Sequence, residues 1–181
     1  AARYDGGFAD LPFRMARSCL ELGRIDEARE HFTRARDLDA LRFRADSRIN
    51  EIIRRAAADG ESQRSFLVDA ERELAADTET SRILPGRELF YEHVHLNYDG
   101  NYLLAKAVFD RVTRILRSRF GGRIPSEITV PTRAECRELA ALTDWSLYRM
   151  QAQMAELTDR PPFTGQFDYE DYRVRIYRNL K

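Results

Sequence analysis

Apolar residues recur at three- and four-residue steps through most of this chain, and that spacing limits its possible folds more than any other feature. A period of 3.6 residues places such residues on one face of an α-helix. The pattern predicts helices at 43–59, near 70–76 and at 101–120, with Gly60 and Gly121 just after the first and the last. The chain is therefore predicted to be mainly α-helical.

One segment departs from helical spacing. Residues 65–69 read Ser-Phe-Leu-Val-Asp, an apolar run without polar alternation that ends in a carboxylate. Such a run suits a strand buried on both faces of a parallel sheet. A single strand has no partner, so either the rest of the sheet lies outside this chain or the run is an extended connector.

Residues 131–181 are predicted to add a helical hairpin and the start of a further helix. The run Thr132-Arg133-Ala134-Glu135 matches a capping box, in which a Thr and a Glu three residues later satisfy the first amides of a helix. Asp144 is the predicted cap of the following helix, and Asp168 the predicted start of the last one.

The charge pattern excludes several classes of partner. Lys and Arg number 30 and Asp and Glu also number 30, so no net charge attracts nucleic acid. The arginines stand beside Asp and Glu along predicted helices, which favours a solvated helix surface over RNA binding.

No apolar run is long enough to cross a bilayer, and no membrane segment is predicted. Cys19 and Cys136 lie far apart in apolar-periodic stretches and are predicted to be buried. No cofactor and no compartment is indicated.

Residues 10–40 carry two amphipathic helices joined by a tight turn. The residues that set their packing are small or aromatic: Ala16, Gly23, Ala28, Phe32 and Ala35. Their order is similar to that of the tetratricopeptide repeat, in which small residues let two helices approach closely. The resemblance implies a helical hairpin over residues 1–40. Because one repeat cannot bury its own face, it also implies neighbouring repeats and protein partners.

The residues with the clearest chemistry lie in the segment 90–101, which reads Phe-Tyr-Glu-His-Val-His-Leu-Asn-Tyr-Asp-Gly-Asn. An imidazole takes up a proton near neutral pH. A carboxylate on its other nitrogen fixes the tautomer and stabilises the imidazolium. Glu92 and His95, three residues apart and just before a predicted helix, are therefore the candidate acid and base.

This segment resembles the last block of SGNH/GDSL hydrolases, in which Asp-x-x-His is followed by Asn, Gly and the final helix. Here Glu92-x-x-His95 has that spacing, with Asn97 and Gly100 after it and Glu in place of the usual Asp. The resemblance implies that residues 41–122 are the C-terminal part of an α/β, flavodoxin-like domain with about one strand. It also implies His95 as general base and Glu92 as its orienting acid.

The Gly-Asp-Ser nucleophile motif of that family does not occur in the sequence. Asp46-Ser47 lies within a helical pattern, a poor place for a nucleophile that needs a strand-to-helix turn. We therefore expect an interior piece of a larger hydrolase that acts on acyl esters of small molecules or glycans. We expect this chain alone to be inactive. Asp99 is predicted to cap the helix that follows His95.

Three alternatives stay open at this point. The histidines could simply hydrogen-bond loop carbonyls. They could bind a metal, because in extended backbone His93-x-His95 puts both rings on one face, close to Glu92. Finally, the hydrolase part could be degenerate, in a scaffold whose helical repeats bind other proteins.

Overall fold

The computed structural model describes residues 7–60, 65–76, 85–123, 125, 127–178 and 180. Within these ranges the chain forms eight α-helices: α1 (Asp10–Glu21), α2 (Ile25–Leu38), α3 (Ser47–Gly60), α4 (Ala70–Ala76), α5 (Tyr98–Phe120), α6 (Arg133–Leu139), α7 (Asp144–Thr158) and α8 (Tyr169–Arg178). The prediction of a mainly helical chain is confirmed. None of the helices in the described part of the chain is long and apolar enough to cross a membrane.

Helices α1 and α2 pack against each other across a turn at Gly23, whose φ of 72° favours glycine. Ala16 and Ala28 are completely buried, so the two helices approach closely. The rings of Phe13 and Phe32 meet edge to face with centroids 5.6 Å apart. A two-helix unit is therefore present at 10–38, and its membership of the tetratricopeptide family stays a prediction.

The predicted strand at 65–69 is wrong: these residues have no regular secondary structure. A strand needs a neighbour to pair its amides and carbonyls, and the described residues offer only an isolated bridge between Phe90 and Leu96. The segment is a connector that leads into α4. Asp69 at its end accepts a hydrogen bond from the backbone nitrogen of Arg72 in the first turn of α4, at 3.4 Å.

An ion-pair network ties α2, α3 and α4 together. Arg54 of α3 donates to both oxygens of Asp69, at 2.7 and 3.1 Å, and to Glu71 of α4 at 2.5 Å. Arg36 of α2 reaches the other oxygen of Glu71, also at 2.5 Å. The Arg54 guanidinium lowers the pKa of Asp69, although burial acts in the opposite direction. The network holds the connector and α4 against α2 and α3.

The beginning of α5 needs glycine at one position. A Cβ on Gly100 would lie 2.7 Å from Cδ2 of Leu96 and closer still to the carbonyl oxygen of the fully buried Leu89. This helix begins at Tyr98, three residues earlier than predicted. Because Gly100 lies in its first turn, the start of α5 packs directly on the segment that carries His95.

The C-terminal helices α6 and α7 are capped by threonines. At α6 the predicted capping box is confirmed, because Thr132 and Glu135 bond reciprocally to each other's backbone nitrogens. At α7 the predicted cap Asp144 is wrong, because Thr143 precedes the helix and accepts from the nitrogen of Ser146 at 3.2 Å. Helix α8 begins one residue after Asp168.

The two cysteines are less buried than their apolar-periodic positions predict. Cys19 in α1 and Cys136 in α6 are both free thiols of intermediate exposure. Helix α6 packs mainly against α5, and none of its residues is buried. Periodicity identifies the side of a helix that can be apolar, but only a packing neighbour removes it from water.

Candidate acid–base site

The segment 85–97, which we call the acid–base loop, folds back on itself before α5. The nitrogen of Tyr91 donates to the carbonyl of His95 at 2.9 Å, and the nitrogen of Asn97 donates to the carbonyl of Leu89 at 2.9 Å. These bonds bring the two arms of the loop together on either side of the Phe90–Leu96 bridge. Residues 92–94 consequently form the tip of the loop.

The Glu92 carboxylate is the centre of this tip. Its side chain is only 3% exposed. Oε2 accepts from the backbone nitrogens of His93 and of Val94, the latter at 3.0 Å, and Oε1 accepts from the nitrogen of His95 at 2.8 Å. Oε1 also contacts Nδ1 of the His95 ring. The carboxylate thus folds back on its own loop and holds the imidazole three residues ahead.

The electrostatics of the loop favour an ionised Glu92. Burial raises the pKa of this carboxyl, but hydrogen bonds from His95, Val94 and His93 outweigh it and bring the pKa below its ordinary value. An ionised carboxylate can only accept, so its contact with Nδ1 of His95 requires the proton on Nδ1. The neutral ring then has its free lone pair on Nε2.

The His95 ring is exposed, and its Nε2 has no hydrogen-bond partner among the described residues. The side chain is 58% exposed. One nitrogen of this ring is oriented by a buried carboxylate, and the other has no partner in the described part of the chain. Such a base can take a proton from a hydroxyl group that comes within hydrogen-bond distance of Nε2.

His93 has a different environment from His95. Its ring lies between Phe43 and Phe163, with centroids 4.8 and 4.7 Å away, and its Nε2 is 3.0 Å from the amide nitrogen of Gln166. Burial lowers the pKa of His93.

In the described ranges no group of three His, Cys, Asp or Glu side chains is arranged to hold a metal ion.

The carboxylates of Asp69 and Asp99 have other roles. Asp69 pairs with Arg54. Asp99 lies inside the first turn of α5, and its predicted role as the cap is wrong. The cap is Asn97, whose Oδ1 accepts from the nitrogen of Gly100 at 3.0 Å, because the capping position directly precedes the first helical residue.

Sequence reasoning missed Arg44, which comes from the connector 39–46 between α2 and α3. Its Nε donates to the carbonyl of His93, and its Nη1 and Nη2 lie 3.3 Å from the carbonyl oxygens of Pro85 and Glu92. The guanidinium carbon is 4.1 Å from the centroid of the Phe90 ring. Burial lowers the pKa of Arg44. Nothing in its sequence neighbourhood distinguishes it from the many other arginines.

No family model matches the chain, and comparisons with curated proteins and with solved structures likewise find no match. A functional assignment therefore depends on the geometry of Glu92 and His95.

Proposed function

We propose that this chain carries the acid and base of an SGNH-like serine hydrolase, with His95 as general base and Glu92 as its orienting acid. One observation carries the proposal. The buried Glu92 carboxylate accepts three backbone amides of its own loop and contacts Nδ1 of His95, while Nε2 of this exposed ring has no hydrogen-bond partner among the described residues. A general base of this type requires a carboxylate on one ring nitrogen and a second nitrogen that is free to take a proton.

In the proposed reaction Nε2 of His95 takes the proton of a serine hydroxyl as the serine oxygen attacks an ester carbonyl. The Glu92 carboxylate stabilises the imidazolium that results. The imidazolium then protonates the departing alcohol, and the same base activates the water that hydrolyses the acyl-enzyme. The substrate class is an acyl ester of a small molecule or a glycan.

Because the sequence has no Gly-Asp-Ser motif, the proposal takes the serine from another part of the protein. Within the described residues no serine hydroxyl bonds to His95, and Ser47 accepts from Arg36 at 2.7 Å instead. We therefore expect the 181-residue chain by itself to show no turnover of short acyl esters.

The test uses the full gene product and a fluorophosphonate probe, which labels only serines activated by a base. We expect one serine to be labelled in the wild type and labelling to be lost in His95→Ala, with helical circular dichroism unchanged. His31→Ala is the matched control, because that histidine lies in α2 and should leave labelling intact. Equal labelling of His95→Ala and the wild type would contradict the proposal.

A second candidate function is a protein-interaction scaffold. Helix α3 has no buried residue, and its Ile49, Ile52 and Ile53 are 39%, 54% and 46% exposed. An apolar helix face of this kind is suited to a further packing partner. The two functions separate in the same experiment, since a scaffold with a degenerate hydrolase part would show no labelled serine in the wild type.

A further inference from the structure

Arg44 and the Glu92 carboxylate lie on opposite sides of the same peptide groups. The guanidinium donates to the carbonyls of Glu92 and His93, and the Glu92 carboxylate accepts from the nitrogens of His93 and Val94. The carbonyl of Glu92 and the nitrogen of His93 belong to one peptide unit, and the carbonyl of His93 and the nitrogen of Val94 to the next.

The planarity of the peptide bond turns this arrangement into a mechanical link. In a trans peptide the C=O and N–H bonds point in opposite directions, so fixing the carbonyl fixes the direction of the amide. A guanidinium that holds both carbonyls therefore aims both amides at the carboxylate. The peptide dipoles also lie favourably, with their oxygens toward the cation and their hydrogens toward the anion.

The position of Arg44 suits this task. Its three donor nitrogens reach three carbonyls, of Pro85, Glu92 and His93, and its guanidinium lies over the ring of Phe90. The planar fork of a guanidinium can span several acceptors at once, which a lysine ammonium cannot do with the same geometry. Arg44 is 41 to 49 residues away in sequence from the residues whose carbonyls it contacts, so a separate segment of the chain holds the acid–base loop in place.

We propose that Arg44 is a positioning residue that sets the peptide planes of Glu92 and His93, and through them the orientation of the Glu92 carboxylate on Nδ1 of His95. This inference rests on the proposed function of Glu92 and His95. Arg44 does not contact the His95 ring. It acts on the base through the loop backbone and Glu92.

The experiment measures the His95 ring by ¹⁵N NMR at neutral pH in the full 181-residue chain. In the wild type we expect the neutral ring to carry its proton on Nδ1. In Arg44→Gln we expect that signature to be lost, and the exchange of the His93 and Val94 amides to accelerate by about tenfold or more. Arg44→Lys should retain the Nδ1 signature only in part. Arg42→Gln is the matched control, because Arg42 lies in the same connector but pairs with Asp46.

An unchanged Nδ1 signature in Arg44→Gln would overturn the proposal, as would amide exchange that accelerates equally in α1, α5 and the loop, which indicates general destabilisation. If Arg44→Gln does not fold, Arg44→Lys decides: partial or complete loss of the signature with helices intact supports the proposal, and a full wild-type signature overturns it. Neither readout needs acyl transfer. A wild-type chain with the Nδ1 signature and a full gene product without a labelled serine would count against the hydrolase function alone.

Discussion

Oε1 of Glu92 lies 2.8 Å from the backbone nitrogen of His95 and also contacts Nδ1 of the same residue's ring. One carboxylate oxygen thus holds both the main chain and the side chain of the candidate base. The ring is therefore oriented by the same atom that closes the loop, and a change at Glu92 should affect the loop and the base together.

Glu92→Gln should reduce ester hydrolysis by the full gene product by roughly 10²- to 10⁴-fold, the range typical of losing an acid–base contribution. The amide has no charge to stabilise the imidazolium of His95. The measurement is kcat/KM on a short acyl ester. Asp99→Asn is the control, since Asp99 does not contact the ring, and it should retain activity within about tenfold. Equal losses in the two variants would refute the assignment of Glu92.

The stabilising effect of Glu92 should depend on pH. Its pKa in the folded chain is below the ordinary value of 4.5. A depressed carboxyl pKa stabilises the fold above the unfolded pKa, and the stabilisation disappears as pH falls through the folded pKa. The difference in Tm between the wild type and Glu92→Gln should thus be largest near pH 7 and shrink below about pH 4.5. A difference that is constant from about pH 7 to about pH 3 would contradict the ionised, hydrogen-bonded carboxylate.

Gly100→Ala should lower the free energy of unfolding by about 1–3 kcal/mol, because the added methyl group meets the carbonyl of Leu89 and the side chain of Leu96. Gly165→Ala is the matched control. A Cβ there has no atom within 4 Å, so its effect should stay within about 0.5 kcal/mol. Urea unfolding followed by circular dichroism measures both. Equal stability of the two variants would show that α5 does not approach the loop this closely.

Asn97→Ala should lower the free energy of unfolding by about 1 kcal/mol or more, because Asn97 caps α5. Its amide also donates to the carbonyl of Glu88 at 2.7 Å, which ties the cap to the acid–base loop. Asp99→Ala removes only a charge near the helix N-terminus and should cost about 0.3–1 kcal/mol. Chemical denaturation of both variants gives the comparison. A larger loss of stability in Asp99→Ala than in Asn97→Ala would show that Asp99 is the cap of α5.

Much of the local structure could be predicted because it depends on neighbours in sequence. The turn at Gly23 and the capping box of Thr132 and Glu135 follow from the conformations and hydrogen bonds available within a few residues. The Glu92 contact with His95 belongs to the same class, since a three-residue spacing on a loop lets the carboxylate fold back. The cap of α5 could not be predicted, because Asn97 and Asp99 are both good caps and only the starting point of the helix separates them.

The sequence by itself therefore determined the helices and some of their ends, and it predicted the contact of Glu92 with His95. Only the tertiary structure decided that residues 65–69 form a connector, since a strand exists only with a partner. It also decided that His93 packs between Phe43 and Phe163 and that Arg44 holds the loop carbonyls. Those contacts join residues 41 or more positions apart, and they form only when helix packing brings the segments together.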